Sequence, residues 1–141
     1  MSIERRWPEG VYVRRLPSVE GKIYSQVIQS QRQRRIHVAG TLPFNEKQEL
    51  VGEGDIAVQT QCVLHNIRLS LEEFGATPAD VVRTKSYVID IASYLEHGQP
   101  KWVEFFDGNS PTSTAVGVTE LADPRALVEI EAYAEIDEVS S

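Results

Sequence analysis

The sequence predicts an α+β fold, a mixed β-sheet with two helices packed on one face. Three observations carry this. Residues 126–136, ALVEIEAYAEI, alternate between apolar even positions and odd positions that include Glu129, Glu131 and Glu135, the period-2 signature of a strand with one face on a core. Residues 55–76 place Ile56, Thr60, Val63, Ile67, Leu71 and Phe74 at three- and four-residue steps, the stripe of an amphipathic helix. The strand-like and helix-like stretches then follow the order β-β-α-β-α-β-β, too few helices to cover both sheet faces.

Taken in order, residues 1–20 carry Pro8, Gly10 and Pro17 and read as an extended lead-in, with a short strand in VYVRRL (11–16). IYSQVIQ (23–29) and RIHVAGTLP (35–43) are strand-like and flank the polar SQRQR, which suggests a hairpin. A loop spans 44–54. Asp55 caps the start of the first helix and Gly75 its end. Residues 77–91 open as a turn and become a strand from Val82 to Ile91. Residues 93–108 are helical around Trp102–Phe106, with Gly98 and Pro100 starting, kinking or dividing the helix. SPTSTAVGV (110–118) is a strand of small and β-branched residues, TELADPR a turn, and the alternating stretch the last strand.

The chain of 141 residues is expected to form a single domain, 1–141, with a core sufficient without staples. Its 41% hydrophobic and 25% charged residues are those of an ordinary globular protein. The one cysteine, Cys62, forms no internal disulfide and fits a reducing compartment. The opening MSIERRWPEG has no apolar signal region and no stretch is long enough to span a membrane, so a cytoplasmic protein is expected, with no membrane partner. A net charge of −7 argues against nucleic acid as a partner.

Two helices leave one sheet face uncovered. That face carries Leu127, Glu129, Glu131 and Tyr133, too apolar to be free and too acidic for a plain core. Association with copies of the same chain is the economical solution, and a closed ring would place these side chains at seams where small-ligand pockets form.

The segments IHVAGTLP, QTQCVLHNIRLSLEEFGATPADVV, TKSYVIDI and P-x-x-x-x-V-x-V followed by LVEIEA, in this order from about Tyr24 to Ile136, resemble the Rid (YjgF-type) family, also called the L-PSP endoribonuclease family. The resemblance implies a chorismate-mutase-like fold and a homotrimer with ligand clefts between subunits. Well-studied members hydrolyse reactive enamines and imines such as 2-aminoacrylate, and no cofactor is implied. In the family an arginine of a P-x-R-S strand binds the substrate carboxylate and a final-strand glutamate orients the water. Carried over, the glutamate falls on Glu129, the cleft tyrosine on Tyr24 and the turn glycine on Gly40. The arginine position falls on Ser113, in PTST. An asparagine and a serine of the family pattern are replaced by Ala92 and Ala39. A serine hydroxyl does not replace a bidentate arginine contact, so this departure points to a C=N substrate other than a simple 2-imino acid. Ligand binding without turnover is the alternative, and RNA cleavage ranks last.

Among further candidates, Ser113 and Thr114 read as small hydrogen-bonding groups lining a pocket. Arg125 is a candidate substitute cation four residues before Glu129, about 13 Å away along a strand, against the plainer reading of a solvated turn arginine. His37 could act as an acid or base but reads more simply as a strand histidine. His65 lies off the helix stripe and His97 in a loop, and no metal-ligand spacing is present. Arg32, Arg34 and Arg35 read as a solvated basic turn without the interleaved aromatics that stack on bases. Cys62 reads as a packing residue.

Overall fold

The computed structural model describes residues 2–12, 14 and 21–138. Strands β1 (Ile3–Arg6) and β2 (Val27–Ser30) form an antiparallel ribbon. Strand β3 (Arg34–Thr41), helix α1 (Ile56–Glu72), strand β4 (Val81–Val88), a second helical stretch over 91–106, strand β5 (Thr112–Gly117) and strand β6 (Val128–Ile136) follow. The main sheet has the order β3-β6-β4-β5, with β6 antiparallel to both neighbours and β4 parallel to β5. The last strand therefore runs through the middle of the sheet, and its even side chains Val128, Ile130, Ala132, Ala134 and Ile136 are buried.

Helix α1 lies on that even face. Asp55 accepts a hydrogen bond from the Val58 N–H at 3.1 Å, which caps the first turn. At the other end Gly75 takes φ +76°, the Ala76 N–H donates to the Leu71 carbonyl and the Gly75 N–H to the Glu72 carbonyl. This is a Schellman closure, with Ala76 and Leu71 both buried beneath it. Because the chain reverses there, Phe74 falls outside the stripe expected for it and is 61% exposed.

The second helical stretch is divided, as Gly98 and Pro100 require. A short turn α2 (Ile91–Ser93), capped by Asp90 through the Ser93 N–H at 3.1 Å, runs into a π-helical turn (Tyr94–Gly98) and then α3 (Gln99–Phe106). The wider turn accommodates the missing N–H of Pro100. At Gly98 an added Cβ would lie 2.6 Å from the Tyr94 ring and 2.9 Å from the Thr60 hydroxyl, so the two helices meet at a point only glycine fits. Beyond it, Trp102 is buried and donates from its indole to the Thr84 hydroxyl at 3.1 Å, fastening α3 to β4.

Five expectations are corrected. β2 pairs with β1 rather than forming a hairpin with β3, and the ribbon shares no strand pairing with the main sheet. Its ties are side chains: Arg5 donates to the Ala79 carbonyl at 2.9 Å, and Arg32 pairs with Asp80 and donates to the Glu135 carbonyl at 3.1 Å. Arg32 is thus an anchor and not a solvated turn residue. The strand from Val82 to Ile91 stops at Val88, because Asp90 caps α2. His97 lies within the π-helical turn instead of a loop. In the expected strand VYVRRL, Val11, Tyr12 and Arg14 are not in a strand, and Val13, Arg15 and Leu16 lie outside the described residues.

One buried polar side chain joins three parts of the chain. Gln59, fully buried in α1, donates its amide to the carbonyls of Gly52 (3.1 Å) and Arg125 (3.0 Å) and accepts from the Leu127 N–H at 2.7 Å. Gln59→Leu keeps the volume and removes all three contacts. At about 1–3 kcal/mol for each buried group left unsatisfied, and with partial relaxation, it is expected to cost about 2–4 kcal/mol in denaturant unfolding. A loss below about 0.5 kcal/mol would show that water replaces the amide.

Candidate active site on the open sheet face

The odd side chains of β6 face away from the helices, and the pairing register sorts them into cross-strand rows. Glu129 lies opposite Tyr87, Glu131 opposite Lys85, and Tyr133 between Arg83 and His37. On β5, Val116 extends the Tyr87 row, Thr114 the Lys85 row and Thr112 the Arg83 row. Cross-strand neighbours of this kind are in side-chain contact range.

The three glutamates differ in their neighbours. Glu131 accepts a hydrogen bond from the Tyr87 hydroxyl at 3.0 Å, and Glu135 stands 3.9 Å from Arg35. Glu129 is half-buried, and among the described residues no side chain donates to its carboxylate or pairs with it. Its position is set by β3. Between the pairs Val38–Ala132 and Thr41–Ile130, residues Ala39 and Gly40 stand opposite Glu131 alone, a β-bulge. An added Cβ on Gly40 would lie 2.6 Å from Glu129 Oε1 and 3.0 Å from its Cδ, so the carboxylate lies across the bulge where a side chain is missing.

The other sequence candidates are placed as follows. Tyr24 is half-buried just before β2 and packs against the core, and its hydroxyl accepts from the Arg14 N–H at 3.2 Å. Next to it, the buried Ser25 donates its N–H to the Pro111 carbonyl at 3.0 Å and its hydroxyl to the Ser110 carbonyl, which seats Tyr24 beside the start of β5. Ser113 pairs with Thr84, whose row includes the buried Ala132, so within one chain Ser113 belongs to the helix-covered side and Glu129 to the other. Thr114 is exposed on the open face. Arg125 is exposed and held by Asp123 through two contacts, Nε to Oδ1 at 3.1 Å and Nη2 to Oδ2 at 2.9 Å. Those bonds hold the Asp123 carboxyl below its ordinary range and the arginine above its own. His37 packs edge-on against Tyr133 at 5.4 Å. Burial pushes the Cys62 thiol up, against a bond from Asn66, which disfavours the thiolate.

The structure therefore brings Glu129 and Gly40 together, with Thr114 one row away, and separates them from Ser113 and Arg125. Tyr87 and Lys85 were missed. The alternation in RTKSYV already places Arg83, Lys85 and Tyr87 on one face, but which partner each meets depends on long-range register.

A family model described as Endoribonuclease L-PSP matches residues 16–136. The crystal structure of the conserved Rid family protein YyfB from Yersinia pestis, itself described as of unknown function, superposes with a TM-score of 0.84 at 36% identity, covering 96% of this chain and 100% of that one. The chain belongs to the Rid (YjgF-type) family. A RutC family protein of Pyrococcus abyssi is 33% identical over 126 residues, 89% of this chain and 95% of the relative. A Mycobacterium tuberculosis member of the YjgF/YER057c/UK114 family is 36% identical, with a TM-score of 0.63 over 80% of this chain and 86% of its own. As a Rid protein this chain departs from the P-x-R-S pattern at Ser113, and no other cation of the described residues takes that place on β5.

The fit of Glu129 over Gly40 is testable. In Gly40→Ala the new methyl meets the far end of a flexible side chain rather than backbone, so stability is expected to change by no more than about 0.5 kcal/mol. A crystal structure of the variant should show the Glu129 carboxylate moved off the bulge. A large loss of stability with the carboxylate unmoved would contradict this account.

Proposed function

We propose that this Rid-family protein is a hydrolase of an imine, enamine or related C=N compound other than a simple 2-imino acid, working in clefts between the subunits of a homotrimer. The observation that carries the proposal is Glu129: the one glutamate of its face left unengaged by the described residues, seated against a glycine bulge at the position that matches the family's water-orienting carboxylate. Hydrolysis of a C=N bond asks for little beyond a placed water and a proton acceptor. The Glu129 carboxylate takes a proton from water as its oxygen bonds to the C=N carbon and passes that proton to the nitrogen, giving a neutral carbinolamine. In the collapse Glu129 takes the hydroxyl proton as the C=O bond forms and delivers it to the nitrogen as the C–N bond breaks, which releases a carbonyl compound and ammonia or amine. Tyr24, Gly40 and Thr114 would bound the ligand, with Ser113 and Arg125 entering only from another subunit.

The homotrimer is part of this proposal and is supported by the open face, where aromatic and charged side chains hold half-buried positions that a partner surface would cover. A second reading, ligand capture without turnover, is favoured by Ser113 in the arginine position and by the bidentate Asp123 hold on Arg125. Among the described residues no helix is long and apolar enough to cross a membrane.

The test is ammonia release from a panel of imines, with 2-iminopropionate as the simple 2-imino acid, by the native chain, Glu129→Gln and Glu135→Gln. A general base contributes about 10²–10⁴-fold. Glu129→Gln is therefore expected to lose at least a hundredfold on the best substrate while light scattering still reports about three times 15.8 kDa. Glu135→Gln should retain activity, and 2-iminopropionate should be a poor substrate. Equal losses in both variants, or a monomer, would overturn the proposal. Saturable binding without ammonia release would establish the second reading.

A further inference from the structure

We infer that Lys85 is the anion-binding group of this site, so that the ligand carries a negatively charged group, a carboxylate in the simplest case, set farther from its C=N carbon than in a 2-imino acid. This rests on the reading of Glu129 given above and supplies the cation that Ser113 does not. Lys85 lies on the open face in the row of Glu131 and Thr114, one row from Tyr87 and Glu129. Diagonal cross-strand neighbours such as Lys85 and Glu129 are about 7–8 Å apart, close enough for one small molecule to touch both.

Three features make Lys85 a built binding group. Its ammonium stands over the Tyr87 ring, 5.2 Å from the centroid, and Tyr87 is the residue directly opposite Glu129. The side chain is therefore drawn toward the Glu129 row by a cation–π contact. The Tyr87 hydroxyl is in turn fixed by Glu131 at 3.0 Å, so the aromatic floor is anchored. Among the described residues, Lys85 has no ion pair within 4 Å although Glu131 is its cross-strand neighbour, because that carboxylate is turned to Tyr87. Its three N–H donors remain available to a ligand. Lys85 and Glu129 thus form a cation and a carboxylate on one face, adjacent and both half-buried, each uncommitted to the other.

The other cations do not offer this. Arg83 stacks over Tyr133 at 5.6 Å, two rows from Glu129, and Arg125 is held by Asp123. A lysine is a point charge on a flexible stem, where an arginine is a planar fork. It tolerates a carboxylate at a less fixed distance from the C=N carbon than a bidentate clamp does, which suits a substrate longer than a 2-imino acid.

The test uses 4-oxopentanoate and 5-oxohexanoate, stable analogues of imines whose carboxylate is set away from the C=N carbon, together with their neutral primary amides. Binding is titrated by NMR to the native trimer, Lys85→Met and Lys85→Arg. A hydrogen bond to a charged group is worth about 1.5–3 kcal/mol, which converts to roughly 10- to 150-fold in Kd. Lys85→Met is expected to lose at least tenfold in affinity for the oxo acids and to leave amide binding unchanged, while Lys85→Arg retains most of the affinity. Unchanged oxo acid affinity in Lys85→Met, equal losses for acids and amides, or no oxo acid binding by the native protein would each overturn the inference. Glu129→Gln separates the two claims. Lys85-dependent binding with no turnover by the native protein supports Lys85 and refutes the hydrolase, whereas Glu129-dependent turnover indifferent to Lys85 does the reverse.

Discussion

The Gln59 amide is the contact on which the rest of the molecule depends. It ties the loop before α1, the turn at Arg125 and the first residue ahead of β6 to one buried point. β6 is the strand through which both antiparallel pairings of the main sheet run, so fixing its entry fixes the phase of the sheet. A strand displaced by a single residue would present its even side chains to the open side and its glutamates to the helices. The apolar periodicity of β6 makes that displacement costly, and Gln59 selects the starting position.

The open face is more balanced than the net charge of −7 suggests. Its β6 carboxylates Glu129, Glu131 and Glu135 stand across from Tyr87, Lys85 and Arg35, with Arg83 beside Tyr133. Three carboxylates and three cations on one surface leave it close to neutral, and the acidic surplus lies elsewhere on the molecule. Two such faces can approach without the repulsion that an acidic sheet would impose.

Most of the main elements were legible in the residues because they are set by local rules. The two-residue period of β6, the stripe of α1 and the signals at Asp55 and Gly75 each fix a structure without reference to the rest of the chain. What was not legible depends on distant partners. Ile3–Arg6 is a short, largely charged segment whose strand character comes only from pairing with β2. Gln59 is a polar side chain at the edge of the α1 stripe, and its burial is explained only by backbone groups up to 68 positions away. Glu129 was legible as a candidate through the family pattern, but its difference from Glu131 and Glu135 comes from a bulge on one neighbouring strand and a tyrosine on the other. The side of the sheet to which Ser113 belongs is likewise a property of the parallel register with β4.

The π-helical turn at Tyr94–Gly98 has a consequence for how this part of the fold varies among relatives. Such a turn holds one more residue than the α-helical turn it replaces. Deleting one residue there would complete the same turn with regular winding and one residue fewer, so the helix that follows would keep its facing. Trp102 would still meet Thr84, and Phe106 would stay in the core. The turn can therefore absorb or shed a residue without repacking α3, provided the position against Tyr94 and Thr60 stays a glycine.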